Sequence, residues 1–159
     1  MMFFGLGVSF LLGIFTTDIV VSSILSKTIA DKTRMVEKFR LYYLTLNLWL
    51  DMKQNGIRVD HYLKSQSIKT VAIYGMKELG DRLYAELKDT DVHVSYVIDK
   101  NPVLGDFELY HDASMASDVD LIIVTAEYDY YEIKKTLSER GIPVMSLLEL
   151  ISSAFQREI

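Results

Sequence analysis

The chain of 159 residues contains no cysteine, which excludes disulfide bridges, thiolate zinc sites and a cysteine nucleophile. Histidine is also scarce: His61, His93 and His111 are scattered and lack the paired spacing of a metal site. The formal net charge of −5 provides no electrostatic footprint for a nucleic acid. We therefore expect neither a metal site nor a nucleic-acid partner.

Charge is nearly absent from the first 25 residues, where Asp18 is the only charged side chain and no lysine or arginine precedes Lys27. A secretory signal has a basic start and a small-residue cleavage site, and neither is present. Residues 3–25 are long enough to cross a hydrocarbon core of about 30 Å as a helix, with Asp18 toward one end. This pattern predicts a transmembrane helix over residues 1–26. The alternative is an apolar arm buried in an oligomer or against the domain.

The flanking charges predict how this helix is oriented. The basic residues that follow it are Lys27, Lys32, Arg34, Lys38 and Arg40. The positive-inside rule then predicts a single-pass protein of the cytoplasmic membrane, with the N-terminus outside and the C-terminal domain in the cytoplasm. Small residues recur at every fourth position, namely Gly5, Ser9, Gly13 and Thr17. They predict a groove for self-association, although glycine is common in membrane helices for other reasons.

Residues 27–66 are predicted to be a helical linker. A long helical pattern over residues 30–54 carries an apolar stripe of Met35, Phe39, Tyr42, Leu46 and Trp49. Further apolar residues make the surface wider than a two-stranded coiled coil needs, which favours packing onto the domain or a partner. Asn55 and Gly56 form a helix stop, and a short helix is expected over residues 59–65.

Residues 67–159 alternate between strand and helix patterns. Strands are predicted at residues 70–74, 92–98, 107–110, 121–125 and 143–145, and helices at residues 78–88, 130–140 and 147–155. Capping boxes are expected at Asp129 with Glu132 and at Ser146 with Glu149. The alternation predicts the α/β class, with a small parallel Rossmann-like sheet of about four to five strands and helices on both faces.

The first strand–turn–helix–strand unit is similar to a dinucleotide-binding fingerprint. It reads KTVAIYGMKELGDRLYAELKDTDVHVSYVIDKN over residues 69–101. Gly75 allows the tight turn, Gly80 allows close helix packing, and Asp99 ends the second strand where an acid accepts from a ribose. Lys77 occupies the position at which backbone normally approaches a pyrophosphate, although its side chain can meet a phosphate.

Glu127 follows the buried strand LIIVT at its carboxyl end, the side where open α/β sheets bind ligands. The residues predicted to contact a cofactor are Gly75, Met76, Lys77, Gly80, Asp99 and Glu127. The alternative interpretation is a Rossmann-like unit that has kept its turn and lost its ligand.

Two further motifs are weaker. Tyr130 and Lys134 form a Tyr-x-x-x-Lys pair, in which a lysine can lower the pKa of a general acid–base tyrosine. Asp118 and Asp120 form an Asp-x-Asp pair, but it precedes a strand rather than following one. We interpret the first pair as part of an amphipathic helix and the second as a strand entry, and we predict no catalytic residue.

Several segments together resemble a Rossmann-like domain of bacterial surface-polysaccharide biosynthesis proteins. These segments are KFRLYYLTLNLWLDMKQNG, KTVAIYGMKELGDRLYAELK, YVIDKN and YYEIKKTLSERGIPVMSLLELI. The chain is also similar to the N-terminal domains of sugar O-acyltransferases and of nucleotide-sugar epimerase/dehydratases. The resemblance implies capsule or exopolysaccharide biosynthesis and binding of NAD(P) or a nucleotide sugar, without implying a reaction.

Three functions are consistent with these patterns. The first is a membrane-anchored accessory module that binds a nucleotide, dinucleotide or nucleotide sugar. The second is a small oxidoreductase or sugar-nucleotide-modifying enzyme completed by oligomerisation. The third is a structural scaffold of a membrane complex that binds no ligand. The expected partners are further copies of the chain or polysaccharide-assembly proteins.

Overall fold

The computed structural model describes residues 3–101 and 105–157, with side chains described from Val20 onward. The chain divides into two compact units, Met1–Phe39 and Arg40–Ile159. Helix α1 spans Phe3–Gln54, so the described part of the first unit is helical.

Among the described residues, no helix combines the length and the apolar character needed to cross a membrane. The transmembrane helix predicted for residues 1–26 falls largely on residues 1–19, which lie outside the described side chains. The small-residue groove predicted from Gly5 to Thr17 lies there as well. Both therefore stay predictions.

The second unit contains one parallel sheet and its helices. Its strands are β1 (Thr70–Tyr74), β2 (His93–Ile98), β3 (Glu108–Tyr110), β4 (Leu121–Val124) and β5 (Val144–Ser146). Its other helices are α2 (Val59–Ser65), α3 (Glu78–Leu87), α4 (Tyr130–Ser138) and α5 (Leu147–Arg157), with 3-10 turns at Ala113–Met115 and Glu127–Asp129. The strand order is β3-β2-β1-β4-β5 and all four pairings are parallel. This confirms the α/β class and the Rossmann-like sheet.

Helices cover both faces of the sheet, as the sequence predicts. Alternate residues of β1 point to opposite sides, so Val71 and Ile73 belong to one apolar cluster and Ala72 to the other. The first cluster includes side chains of α2, α3, α5 and the end of α1. The second is closed by α4 through Tyr130 and Leu137. The burial of each large apolar side chain contributes about 1.5–3 kcal/mol, so both faces stabilise the fold.

The apolar stripe of α1 packs onto the domain at its C-terminal end. Trp49 is buried and Tyr42 and Leu46 are partly buried against the same core. Met35 and Phe39, which belong to the first unit, are 72% and 70% exposed. The helix stops where predicted, because Gly56 adopts φ +73° and its N–H donates to the Lys53 carbonyl at 3.0 Å.

One predicted capping box is confirmed and the other is wrong. Ser146 Oγ accepts from the Glu149 N–H at 3.0 Å, and Glu149 Oε2 accepts from the Ser146 N–H at 3.3 Å. Asp129 is the N-cap of α4, yet its side chain makes no capping hydrogen bond there. The reason is its backbone, which the preceding 3-10 turn holds at φ −98° and ψ 6° instead of the extended conformation of a capping residue.

Candidate functional site

The turn after β1 connects the ends of three strands. Gly75 adopts φ +93°, a conformation that favours glycine, and its N–H donates to the Ile98 carbonyl of β2 at 2.8 Å. Thr125, which follows β4, donates from Oγ1 to the Gly75 carbonyl at 2.6 Å. A Cβ at Gly75 would lie 2.9 Å from that Oγ1, so the turn has no room for a side chain.

Gly80 brings the first turn of α3 directly onto this loop. A Cβ at Gly80 would lie 2.1 Å from the Gly75 carbonyl oxygen, a distance that no side chain tolerates. The two glycines therefore have the turn and packing roles that the fingerprint predicts. Their contact with a ligand stays a prediction.

Asp99 lies beside the turn, as its position after β2 predicts, and it also holds the turn in place. Its Oδ2 accepts from the Met76 N–H at 2.7 Å. Its Oδ1 accepts from the backbone N–H of Asn101 at 2.8 Å and from the Asn101 side-chain amide at 3.3 Å. Three donors thus use these oxygens, which leaves roughly one of about four acceptor positions for a ligand hydroxyl.

The N-terminus of α3 has no side-chain cap. Lys77 is the N-cap residue; it is exposed and makes no capping hydrogen bond. The first N–H groups of the helix point toward this end, which carries a partial positive charge and attracts anions. The carboxylates of Glu78 and Asp81 in the first turn already interact with this partial positive charge, so they compete with a bound phosphate. Met76 as a whole is only 7% exposed and belongs to the core, so it presents little surface to a ligand.

Tyr74 lies near several carboxylates at this edge of the sheet. It ends β1 and is partly buried. Burial raises the pKa of Tyr74, and the carboxylates of Asp112, Asp99 and Asp129 raise it further. These three acids therefore approach one tyrosine from separate loops. Neither Tyr74 nor Asp112 is among the site residues predicted from the sequence. The position of Tyr74 directly before the turn glycine is a signal that indicates it, whereas the sequence contains no such signal for Asp112.

Glu127 is directed to a different part of the edge. Its Oε1 accepts from the Leu148 N–H at 2.7 Å, so it caps α5, and no hydrogen bond joins it to the turn after β1 within the described chain. Burial raises the pKa of Glu127 to about 6, because desolvation outweighs the hydrogen bonds from Leu148 and Ser146. The sequence places this residue at the correct strand end without revealing its contact with α5.

Tyr130 and Lys134 do meet, in a partly buried network in which Glu149 is exposed. Lys134 Nζ donates to Tyr130 Oη at 2.9 Å, and Tyr130 Oη donates to Glu149 Oε2 at 2.6 Å. Tyr130 is only 4% exposed, and burial together with Glu149 raises its pKa although Lys134 lowers it. The tyrosine therefore stays protonated and enclosed at neutral pH, which favours its interpretation as a packing residue.

The Asp-x-Asp pair lies at the amino end of the strands. Asp120 Oδ2 accepts from the N–H groups of Lys69 and Thr70, both at 2.8 Å, and from Thr70 Oγ1 at 3.0 Å. These donors lower the pKa of Asp120. The pair thus lies at the entry of β4, as the sequence suggests, and the Asp120 carboxylate also fixes the start of β1, which the sequence does not predict. This end of β1 is far along the strand from Gly75.

Comparison with known protein families, with characterised proteins and with solved structures finds no match to this chain. Among the side chains that the structure describes, from Val20 to Asn101 and from Gly105 to Arg157, no group of three or more histidine, aspartate or glutamate residues is arranged to hold a metal ion. The strand order is therefore the evidence for a Rossmann-like fold, and the resemblance to polysaccharide biosynthesis proteins stays a prediction.

Proposed function

We propose that this protein is a Rossmann-like accessory module that binds a nucleotide, a dinucleotide or a nucleotide sugar. The observation that carries this proposal is the uncapped N-terminus of α3 beside the Gly75 turn. It lies at the carboxyl end of β1, where the strand order reverses between β1 and β4. Open α/β sheets bind ligands at such switch points, with phosphate on the helix N-terminus.

Each part of the ligand has a proposed contact. The phosphate lies against the first N–H groups of α3 and the Lys77 ammonium, and a ribose hydroxyl donates to the remaining acceptor position of Asp99. Glu78 and Asp81 weaken the phosphate contact, so we expect lower affinity than in a site without acids on that turn. The edge around Tyr74 favours ligand groups that donate hydrogen bonds. NAD(P) and nucleotide sugars both carry the required diphosphate and ribose.

The proposed setting is the assembly of a bacterial capsule or exopolysaccharide. Residues 1–26 would anchor the protein in the cytoplasmic membrane, and the basic residues from Lys27 onward would keep the Rossmann-like domain in the cytoplasm. The charge-poor N-terminal segment and the resemblance of the later segments support this setting. The partners in this proposal are further copies of the chain or other polysaccharide-assembly proteins.

A second candidate function is a scaffold within a membrane complex, and the surface of α1 favours it. Large apolar side chains on this helix are more than 40% exposed, namely Val20, Val21, Ile24, Leu25, Ile29, Met35, Val36, Phe39, Tyr43, Leu44 and Leu50. Soluble proteins seldom leave so many apolar side chains uncovered along one element. A scaffold would bury them in a partner or a membrane and needs no nucleotide.

Thermal-shift measurements separate the two candidates. The full-length chain is heated with millimolar NAD(H), NADP(H), UDP-sugars or CoA, and a binder melts at a higher temperature with at least one of them. The variant Lys77→Glu should lose that shift. Lys88→Glu reverses the same charge at the other end of α3 and should retain it. If no ligand shifts the melting temperature, the binding proposal fails and the scaffold is favoured.

A further inference from the structure

A cleft lies in the Arg40–Ile159 unit, between the end of α1 and α3. Its volume is about 540 Å³. Leu46, Trp49 and Leu50 supply an apolar wall from α1, and Arg82 of α3 lies on the other side. None of these residues takes part in the proposed nucleotide site, so the cleft is a separate feature.

One end of the cleft is held by a buried carboxylate. The Glu86 side chain is only 9% exposed and forms an ion pair with Lys53. Its Oε2 accepts from Trp49 Nε1 at 3.0 Å, and its Oε1 accepts from the Val59 N–H at 3.3 Å. Glu86 thus joins α1, α2 and α3 and fixes the indole of Trp49 in the wall. A wall held in this way is preformed for a ligand, which lowers the entropic cost of binding.

Positive charge exceeds negative charge in the lining, where Lys53, Arg58 and Arg82 face one carboxylate, Glu86. Lys53 pairs with Glu86, and Arg58 Nε pairs with Asp60 Oδ1 at 2.8 Å. Within the described part of the chain, Arg82 is exposed and has no ion pair. An excess of cations in a protein of net charge −5 makes this a local site of attraction for an anion.

We propose that this cleft binds an anionic amphiphile, a phosphate or carboxylate headgroup attached to an apolar chain. The guanidinium of Arg82, with Arg58 nearby in the lining, would hold the headgroup, since its planar fork matches the oxygens of either group. The chain would cover Leu50 and the exposed part of Leu46, beside the buried indole of Trp49. Leu50 is 55% exposed, so covering it removes apolar surface from water. The headgroup could belong to a membrane lipid or to a soluble molecule, because both offer the same chemistry.

Trp49 reports on this cleft directly, because it is the only tryptophan in the chain. The full-length protein is titrated with dodecyl phosphate below its micelle concentration while tryptophan emission is recorded, and calorimetry provides a second readout. We expect a saturable response. Arg82→Glu should weaken binding about tenfold or more, as the loss of a charge-assisted contact does. Lys88→Glu makes the same charge change at the C-cap of α3, outside the cleft, and should leave binding unchanged.

Three results would overturn this assignment: no saturable binding by either readout, equal losses in Arg82→Glu and Lys88→Glu, or equally tight binding of dodecanol or inorganic phosphate. Phosphatidylglycerol vesicles, compared with phosphatidylcholine vesicles, identify the source of the headgroup. A tryptophan response to both dodecyl phosphate and phosphatidylglycerol supports a membrane lipid. A response to dodecyl phosphate alone supports a soluble amphiphile.

Discussion

Gly80 packs against the Gly75 carbonyl so closely that a Cβ at Gly80 would lie 2.1 Å from the carbonyl oxygen. This contact seats the start of α3 on the turn that leaves β1. The turn is held in addition by the Asp99 carboxylate, which accepts from the Met76 N–H at 2.7 Å. The position of the helix N-terminus, and with it the proposed phosphate contact, therefore depends on a glycine pair and one acid.

Gly80→Ala should destabilise the protein by about 3 kcal/mol, because the added methyl group overpacks against backbone that cannot move aside. Chemical denaturation measures the loss. Gly56→Ala is the matched control: Gly56 has φ +73° and nothing within 4 Å of an added Cβ, so only backbone strain of about 1 kcal/mol is expected. Equal losses in the two variants would show that the Gly80 contact is not tight.

Asp99→Ala should cost about 1–3 kcal/mol of stability, because it leaves the N–H groups of Met76 and Asn101 without their acceptor. Asp89→Ala, at an exposed acid after α3, should cost little. Any loss of ligand affinity in Asp99→Ala would therefore have two causes, the displacement of the turn and the absence of the ribose contact. Urea denaturation of both variants measures the stability contribution of the turn alone, and similar stability in the two would contradict the turn-holding role.

Glu127 should make stability depend on pH in the weakly acidic range. Its pKa rises from 4.5 to about 6 on folding, so the folded protein holds this proton more tightly than the unfolded chain. The resulting stabilisation is fully present below about pH 4.5 and is lost as the pH rises through 6. Glu127→Gln, which cannot ionise, should gain about 2 kcal/mol relative to the parent between pH 4 and pH 7.5.

The measurement for Glu127 is the difference in unfolding free energy between variant and parent at each pH, so that other acids cancel. Glu139→Gln, on an exposed residue at the end of α4, should show no such trend. A Glu127→Gln difference that stays constant from pH 4 to pH 7.5 would contradict the raised pKa.

The contribution of Asp120 to stability should depend on pH in the opposite sense to that of Glu127. Hydrogen bonds from Lys69 and Thr70 lower its pKa below the ordinary value of 3.8, so its stabilisation is present above pH 3.8 and is lost as the pH falls through the folded pKa. Asp120→Ala should therefore melt at a lower temperature than the parent at neutral pH, and the gap should close in strong acid. Asp118→Ala, at the exposed partner of the Asp-x-Asp pair, should melt like the parent. Equal melting of Asp120→Ala and the parent at pH 7 would disprove the role at the strand entry.

The sequence predicts the features that depend on local spacing. Gly75 and Gly80 are found in the roles of the fingerprint, and Ser146 with Glu149 forms its capping box, since each pair is separated by only a few residues. The local rule fails at Asp129, where the 3-10 turn before α4 changes the backbone that a cap requires.

Contacts between distant residues could not be predicted in this way. Asp99 meets the Met76 N–H across 23 residues, and Glu127 meets the Leu148 N–H across 21. Both contacts arise because parallel strands bring separate loops to one edge of the sheet. Hydrophobic patterning alone indicates that Glu127 lies at this edge, but not that α5 engages its carboxylate.

The most direct test of nucleotide binding is an NMR titration of the isotope-labelled full-length chain with NAD and with a UDP-sugar. We expect the backbone amides of Lys77, Glu78 and Leu79 to shift saturably with at least one of these ligands, because their N–H groups would contact the phosphate. The same ligand should leave these amides unmoved in Lys77→Glu and should still shift them in Lys88→Glu. If millimolar ligand moves no amide between residues 75 and 81 of the folded parent protein, the proposed site does not bind nucleotides.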